Sequence, residues 1–216
     1  MKLESVGILI GLRPFGERDA VATIFTRDHG VLTGMMRGAI IAKKNKPLTG
    51  QMGLVSWNAR LDSQLGVFHW ESERNLAVPL MMDSATLGLM NSAFALITML
   101  LPEREKYEAL FIQTKDLLEN LPNKDARKCY LTWEINLLRE LGYALDLTRC
   151  SNCGCTDNLT HISPRTARAV CSECAEPYLD KLFELPADLN TTKKFLEKIV
   201  DEQGGKGLPQ ARIFIN

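Results

Sequence analysis

The hydrophobic period changes once along this 216-residue chain, and that change restricts the folds open to it. Up to about residue 75 the apolar residues come in five short runs: SVGILIGLR, AVATIFTR, GVLTGMMRG, GLVSWNARL and GVFHWESE. Gly, Pro, Asp or Lys clusters separate them. In VATIFT the side chains alternate, with Val21, Thr23 and Phe25 on one face and Ala22, Ile24 and Thr26 on the other. Both faces carry apolar groups, so this strand is expected to be buried on both sides. Asp28-His29-Gly30 and Asp62-Ser63 are turn material. Five short strands joined by turns suit a small barrel or a sandwich. The segment 37–50, RGAIIAKKNKPLTG, is too long for a tight hairpin and reads as an exposed basic loop.

From about residue 83 the period becomes 3.6. Asp83 or Ser84 can cap a helix that runs to Leu101 and is ended by Pro102. Residues 103–121 place Tyr107, Leu110, Phe111, Thr114, Leu117, Leu118 and Leu121 on one stripe, closed by Pro122. Residues 125–141 group Cys129, Tyr130, Trp133, Leu137, Leu138 and Leu141, with Gly142 suited to the left-handed position past the helix. Helical pattern returns after Cys174 and over Thr191–Glu202. Three helices with short links are expected to form a bundle. The fold class is α+β: strands first, helices second, dividing into domains at 1–78 and 79–216.

Charge is distributed unevenly. The chain has no net charge, yet residues 1–60 hold nine Lys or Arg (Arg60 the last) against four acids. Such asymmetry points to a polyanionic partner for the basic part. Arg13 and Arg18 flank the expected first loop, and Arg37, Lys43, Lys44 and Lys46 mark the long one. Cations on loops at a barrel rim can follow a phosphate backbone without reading sequence. Phe15 is placed to stack on a base, whereas Trp57, Phe68 and Trp70 lie on strands and read as core. The apolar run 85–101 contains Asn91, Ser92, two Thr and one Gly, so it reads as a buried helix rather than a membrane span. No secretory signal is apparent, and a cytoplasmic location follows.

Within 150–174, CSNCGCTDNLTHISPRTARAVCSEC, the residues Cys150, Cys153, Cys171 and Cys174 match C-x2-C-x17-C-x2-C. Two residues between thiolates let one tight turn present both sulfurs to a tetrahedral ion, and the second arm supplies the other pair. Four sulfurs close the shell, leaving no position for water or substrate. Zinc bound there would be structural, contributing on the order of 10 kcal/mol to local folding. Cys155 is either a spectator thiol or a substitute ligand, and Cys129 reads as a core thiol. His69 and Glu71 form an H-x-E, but neither cysteine arm carries the proline that nucleobase deaminases place before it. No G-x-x-x-x-G-K-[ST], G-x-S-x-G or H-E-x-x-H motif is present, and no catalytic residue is assigned: the chain reads as a non-enzyme.

The stretch GILIGLRPFGERDAVATIFTRDHGVLTGMMRGA resembles the opening of the bacterial recombination mediator family RecO. LLRELGYALDLTRCSNCG followed by a second C-x-x-C resembles that family's helix-then-zinc region, in the same order and at similar spacing. The resemblance covers about residues 5–190. It implies an N-terminal OB-fold, a helical domain with a zinc knuckle, and a cytoplasmic, nucleoid-associated DNA-repair factor. Such a factor binds single- and double-stranded DNA, anneals complementary strands, works with RecR, contacts the C-terminal tail of single-stranded-DNA-binding protein and helps load RecA. Carried over residue by residue, it makes Arg13, Arg18, Arg37, Lys43, Lys44 and Lys46 DNA contacts. The tail after Leu189, ending ARIFIN, falls outside it. The competing reading is a zinc-stabilised module that binds nucleic acid or protein in a regulatory role.

Overall fold

The structure, a computed structural model, describes residues 1–44, 46–59, 65–122, 125–143, 145–185 and 187–215. Arg60 and the expected Asp62–Ser63 turn lie outside the described residues. The chain divides into two compact units, residues 1–129 with 209–212 and residues 130–208 with 213–216.

In the first unit, β1 (Lys2–Phe15), β2 (Asp19–Thr26), β3 (Gly30–Met36), β4 (Gln51–Asn58) and β5 (Gly66–Asn75) close into a barrel in the order β1-β2-β3-β5-β4. Every pairing is antiparallel except β3 with β5. This is the expected five-stranded OB-fold, and it resolves the choice between barrel and sandwich. Leu9, Ala20, Ala22, Ile24, Leu32, Val55, Trp57 and Phe68 fill the interior. The small alanines of β2 leave room for two large aromatics. The Trp57 indole N–H, which burial would otherwise leave unpaired, donates to the Thr33 carbonyl at 3.0 Å. In β1 the pairing steps from Leu9↔Ile24 to Gly11↔Thr23, so Ile10 is an extra bulged residue.

Burial of β2 on both faces holds only at its C-terminal end. There Phe25 turns away from the interior and meets Phe111 edge-on, with centroids 5.6 Å apart. Val21 and Thr23, on the same outer face, stay half-exposed.

A 3-10 turn over Val78–Met82 leads into α1 (Ser84–Leu100). Asp83 caps α1, accepting the amides of Ala85 at 3.1 Å and Thr86 at 3.2 Å. The second helix, α2 (Glu108–Asn120), starts later than its apolar stripe suggests. Residues 103–105 are instead held against the barrel. Glu103 bridges to Val31, Arg104 takes φ +65° and donates its amide to the Val31 carbonyl at 3.0 Å, and its guanidinium sits 4.7 Å from the Trp57 ring centroid. Gly30 permits this approach: it adopts φ +63°, and a Cβ there would collide with the Glu105 carbonyl.

The helix α3 (Ala126–Glu140) carries its expected stripe, with Tyr130, Trp133, Leu137 and Leu138 buried and Cys129 half-buried. Gly142 follows at φ +90°. In the second unit, β6 (Leu159–Ile162), β7 (Ala169–Cys171) and β8 (Phe183–Glu184) form a small sheet in the order β7-β6-β8. Between β7 and β8 lie α4 (Ser172–Ala175) and a 3-10 stretch over Glu176–Lys181. The chain then forms α5 (Leu189–Glu202) and α6 (Gln210–Ile213). Asp188 caps α5 through the Thr191 amide at 2.8 Å. The apolar face of α5 buries Phe195, Leu196, Ile199 and Val200, and Phe195 meets Tyr143 and Phe183 edge-on.

Candidate metal centre and nucleic-acid interface

The four cysteines come from two turns docked on β7. Before the first arm, Asp146 exchanges backbone bonds with Ala167 and Ala169, and Ser151 then donates to the Ala169 carbonyl at 2.8 Å. The arm closes through the Gly154 amide on the Cys150 carbonyl at 3.0 Å, with Gly154 at φ +78°. The second arm begins at Cys171, the last residue of β7 and the N-cap of α4, whose first turn carries Cys174. The result places the sulfurs of Cys150, Cys153, Cys171 and Cys174 within 4.8 Å of one another. Cys150 and Cys171 are buried, Cys174 is half-buried and Cys153 is exposed.

This donor set fits a tetrahedral metal ion. The Cys153 and Cys171 sulfurs are 3.7 Å apart. A zinc tetrahedron with bonds of ~2.3 Å has edges of about 3.8 Å. All six cysteines are free thiols rather than disulfides. Burial pushes the Cys150 thiol up, but the backbone N–H groups of Cys153, Cys171 and Asn152 outweigh it and bring its pKa to about 6. For Cys174, the Asn152 amide favours the thiolate, yet the neighbouring sulfurs of Cys171 and Cys153 dominate and push it up to about 12. Amides aimed at sulfur favour thiolates, while crowded sulfurs resist sharing negative charge. A bound cation reconciles the two.

Asn152 is a contributor that the spacing argument misses. Its side-chain amide donates to the Cys174 sulfur at 3.3 Å, joining the two arms. Its position between two cysteines was the available signal, because outer partners of a ligand often sit inside the turn that carries it. His69 and Glu71 are exposed on β5 and bonded to each other at 3.1 Å, and the sulfur group contains neither.

The six cationic residues expected to contact DNA all belong to the first unit. Arg13 lies on β1 rather than in a loop, paired with Val21, which in turn pairs with Met35. Since Ala20 and Ala22 point inward, Arg13 is on the outer face, and Phe15, two residues on, shares it at 60% exposure. Arg18 is in the following turn and Arg37 directly follows β3. These two connections are tied together: Ile40 donates to the Arg18 carbonyl at 3.0 Å, and Gly38 donates to the Asp19 carboxylate at 2.7 Å. Arg13, Arg18, Arg37 and Phe15 are thereby gathered at one end of the barrel. Lys43, Lys44 and Lys46 follow in the same connection and are exposed. Its far end is fastened by Gln51, whose amide donates to the Lys46 carbonyl at 3.2 Å. Trp57 and Phe68 are interior and Trp70 packs against the same core, so Phe15 is the exposed aromatic among the described residues of the barrel.

The family model for the N terminal of recombination protein O matches residues 1–69, and the model for its C terminal matches residues 81–199. The chain belongs to the recombination protein O family. Similar proteins include DNA repair protein RecO of Ruegeria sp. (strain TM1040), 35% identical over 95% of this chain and 93% of the relative. DNA repair protein RecO of Rhodospirillum centenum is 41% identical over 83% of this chain and 73% of its own length. That of Rickettsia typhi is 32% identical over all of this chain and 90% of its own. The first family model ends within β5 and the second begins at the close of the 3-10 turn, so between them they take in most of the barrel and both cysteine arms. Among the described residues of this family member, no helix is long and apolar enough to cross a membrane.

Proposed function

We infer that this chain is a recombination mediator in DNA repair that acts without catalysis, by binding DNA and bringing strands together. The observation that carries this reading is the gathering of Arg13, Arg18 and Arg37 at one end of a closed OB-barrel, in a chain matched by both recombination protein O models. OB-folds bind oligonucleotides through loops and one sheet face. The basic end neutralises phosphates on two strands, lowers their repulsion and so speeds pairing. Phe15 offers a flat surface on which a base can stack. The family resemblance supports RecR, the tail of single-stranded-DNA-binding protein and the RecA-loading step as its partners, at the nucleoid in the cytoplasm. The ion held by the four cysteines is zinc in a structural role. It fixes the two arms on β7 and leaves no open coordination position.

A strand-annealing assay across a salt series tests this. Annealing is faster than spontaneous pairing at low salt and declines as salt rises. No acceleration at low salt, or a rate indifferent to Lys43, Lys44 and Lys46→Ala, overturns it.

A further inference from the structure

The sulfur group has a fifth thiol beside it. Cys155 lies outside the set of four, its thiol donating to the Asp157 carbonyl at 3.5 Å. Its side chain nevertheless packs on the cluster formed by Cys150, Val170, Cys171 and Ala175. Its backbone is fixed inside the first arm, because the Cys150 amide donates to the Cys155 carbonyl at 2.7 Å. Between Cys153 and Cys155 stands Gly154, at φ +78° and with no atom within 4 Å of where a Cβ would be. The exposed ligand and the fifth thiol are therefore joined by the least hindered residue of the arm.

We propose that Cys155 is a reserve ligand, poised to replace Cys153 so that the metal keeps four sulfurs when Cys153 is lost. The proposal rests on the metal reading above. Cys153 is the most exposed member of the set, Cys174 being half-buried. Cys150 and Cys171 are buried, so their replacement would require the turns themselves to open. The exchange is redox-neutral. One metal–sulfur bond breaks and another forms, the Cys155 proton leaves to solvent, and the released Cys153 thiolate takes one up. Only the first arm has this spare, since the residue two past Cys174 is Glu176.

The test uses the full chain with cobalt in place of zinc, comparing wild type, Cys153→Ser, Cys155→Ser and the double variant. Metal content is measured, and the thiolate-to-cobalt charge-transfer absorbance per bound ion counts sulfurs. Wild type, Cys153→Ser and Cys155→Ser each keep one ion with equal absorbance. The double variant loses about a quarter of that absorbance per ion, and its affinity drops at least tenfold. A three-sulfur signal in Cys153→Ser, beside a four-sulfur wild type, overturns the proposal and leaves the metal reading intact. A wild type that takes up no ion overturns both. Should Cys153→Ser fail to fold, the zinc-loaded wild type decides. Under N-ethylmaleimide, the metal stays bound in molecules modified at Cys153 alone and leaves once Cys155 also carries an adduct. Release on modification of Cys153 alone overturns the proposal.

Discussion

Cys150 is buried and receives several backbone amides at its sulfur, whereas Lys43, Lys44 and Lys46 stand exposed on a connection between strands. In the first place the surroundings define position so closely that one residue type works. In the second, what matters is a sum of charge, and its members are interchangeable within limits. On the function proposed above, a closed sulfur shell would act on folding, and an open cationic rim on a partner. The two properties should therefore fail separately, and that separation can be tested.

The largest effect is expected from Cys150→Ser. It removes a buried ligand, abolishes stoichiometric metal binding and loosens residues 145–185, with metal-linked folding energy on the order of 10 kcal/mol at stake. Metal analysis and hydrogen exchange would register it, while DNA affinity of the barrel stays within about twofold. A parallel collapse of DNA binding would break the contrast. Next, Gly30→Ala forces a Cβ into the Glu105 carbonyl and a non-glycine residue into φ +63°. The barrel should lose roughly 1–3 kcal/mol in urea unfolding with its cations untouched. This variant separates loss of fold from loss of charge.

The triple change Lys43, Lys44 and Lys46→Ala works the other way. The melting temperature should stay put, while the slope of log K against log salt for single strands becomes shallower by about 2. An unchanged slope would remove these lysines from the interface. The smallest effect is expected at Asp188. The Thr191 amide holds its carboxyl below the usual range. A folded-state value below the unfolded one means that the stabilisation is present above about pH 4 and is lost as pH falls through the folded value. Asp188→Ala should cost about 1 kcal/mol at neutral pH, and its melts should converge with wild type in acid.

Much of this was legible from residue types. The grouping of the four sulfurs follows from spacing, because each C-x2-C turn brings two thiols together. The α1 cap and the Gly142 stop follow from local chemistry that needs no distant partner. What escaped depended on partners far along the chain. The start of α2 was misplaced because residues 103–105 answer to Val31 and Gly30 rather than to their own periodicity. The short β6 and β7 are too brief to display alternation. Arg13 closes the first apolar run and flanks the expected loop, yet β1 continues past it to Phe15 through an exposed end where Pro14 is tolerated. The cationic rim was legible only as an excess of charge. Its gathering required the bonds from Ile40 and Gly38 to the preceding turn.

The barrel's closure has a mechanical consequence. Antiparallel neighbours run beside each other over seven or more paired residues, but among the described residues β3 and β5 pair at two, Gly34↔Gly66 and Met35↔Val67. The indole of Trp57 fills the space beside both glycines, and a Cβ at Gly66 would strike it. The ring is therefore a hoop with a short clasp, and the pin of that clasp is a tryptophan. Under load or thermal agitation the hoop should part at this clasp first. Because the pin is itself fluorescent, the parting would announce itself as a change in emission before the rest of the barrel unfolds.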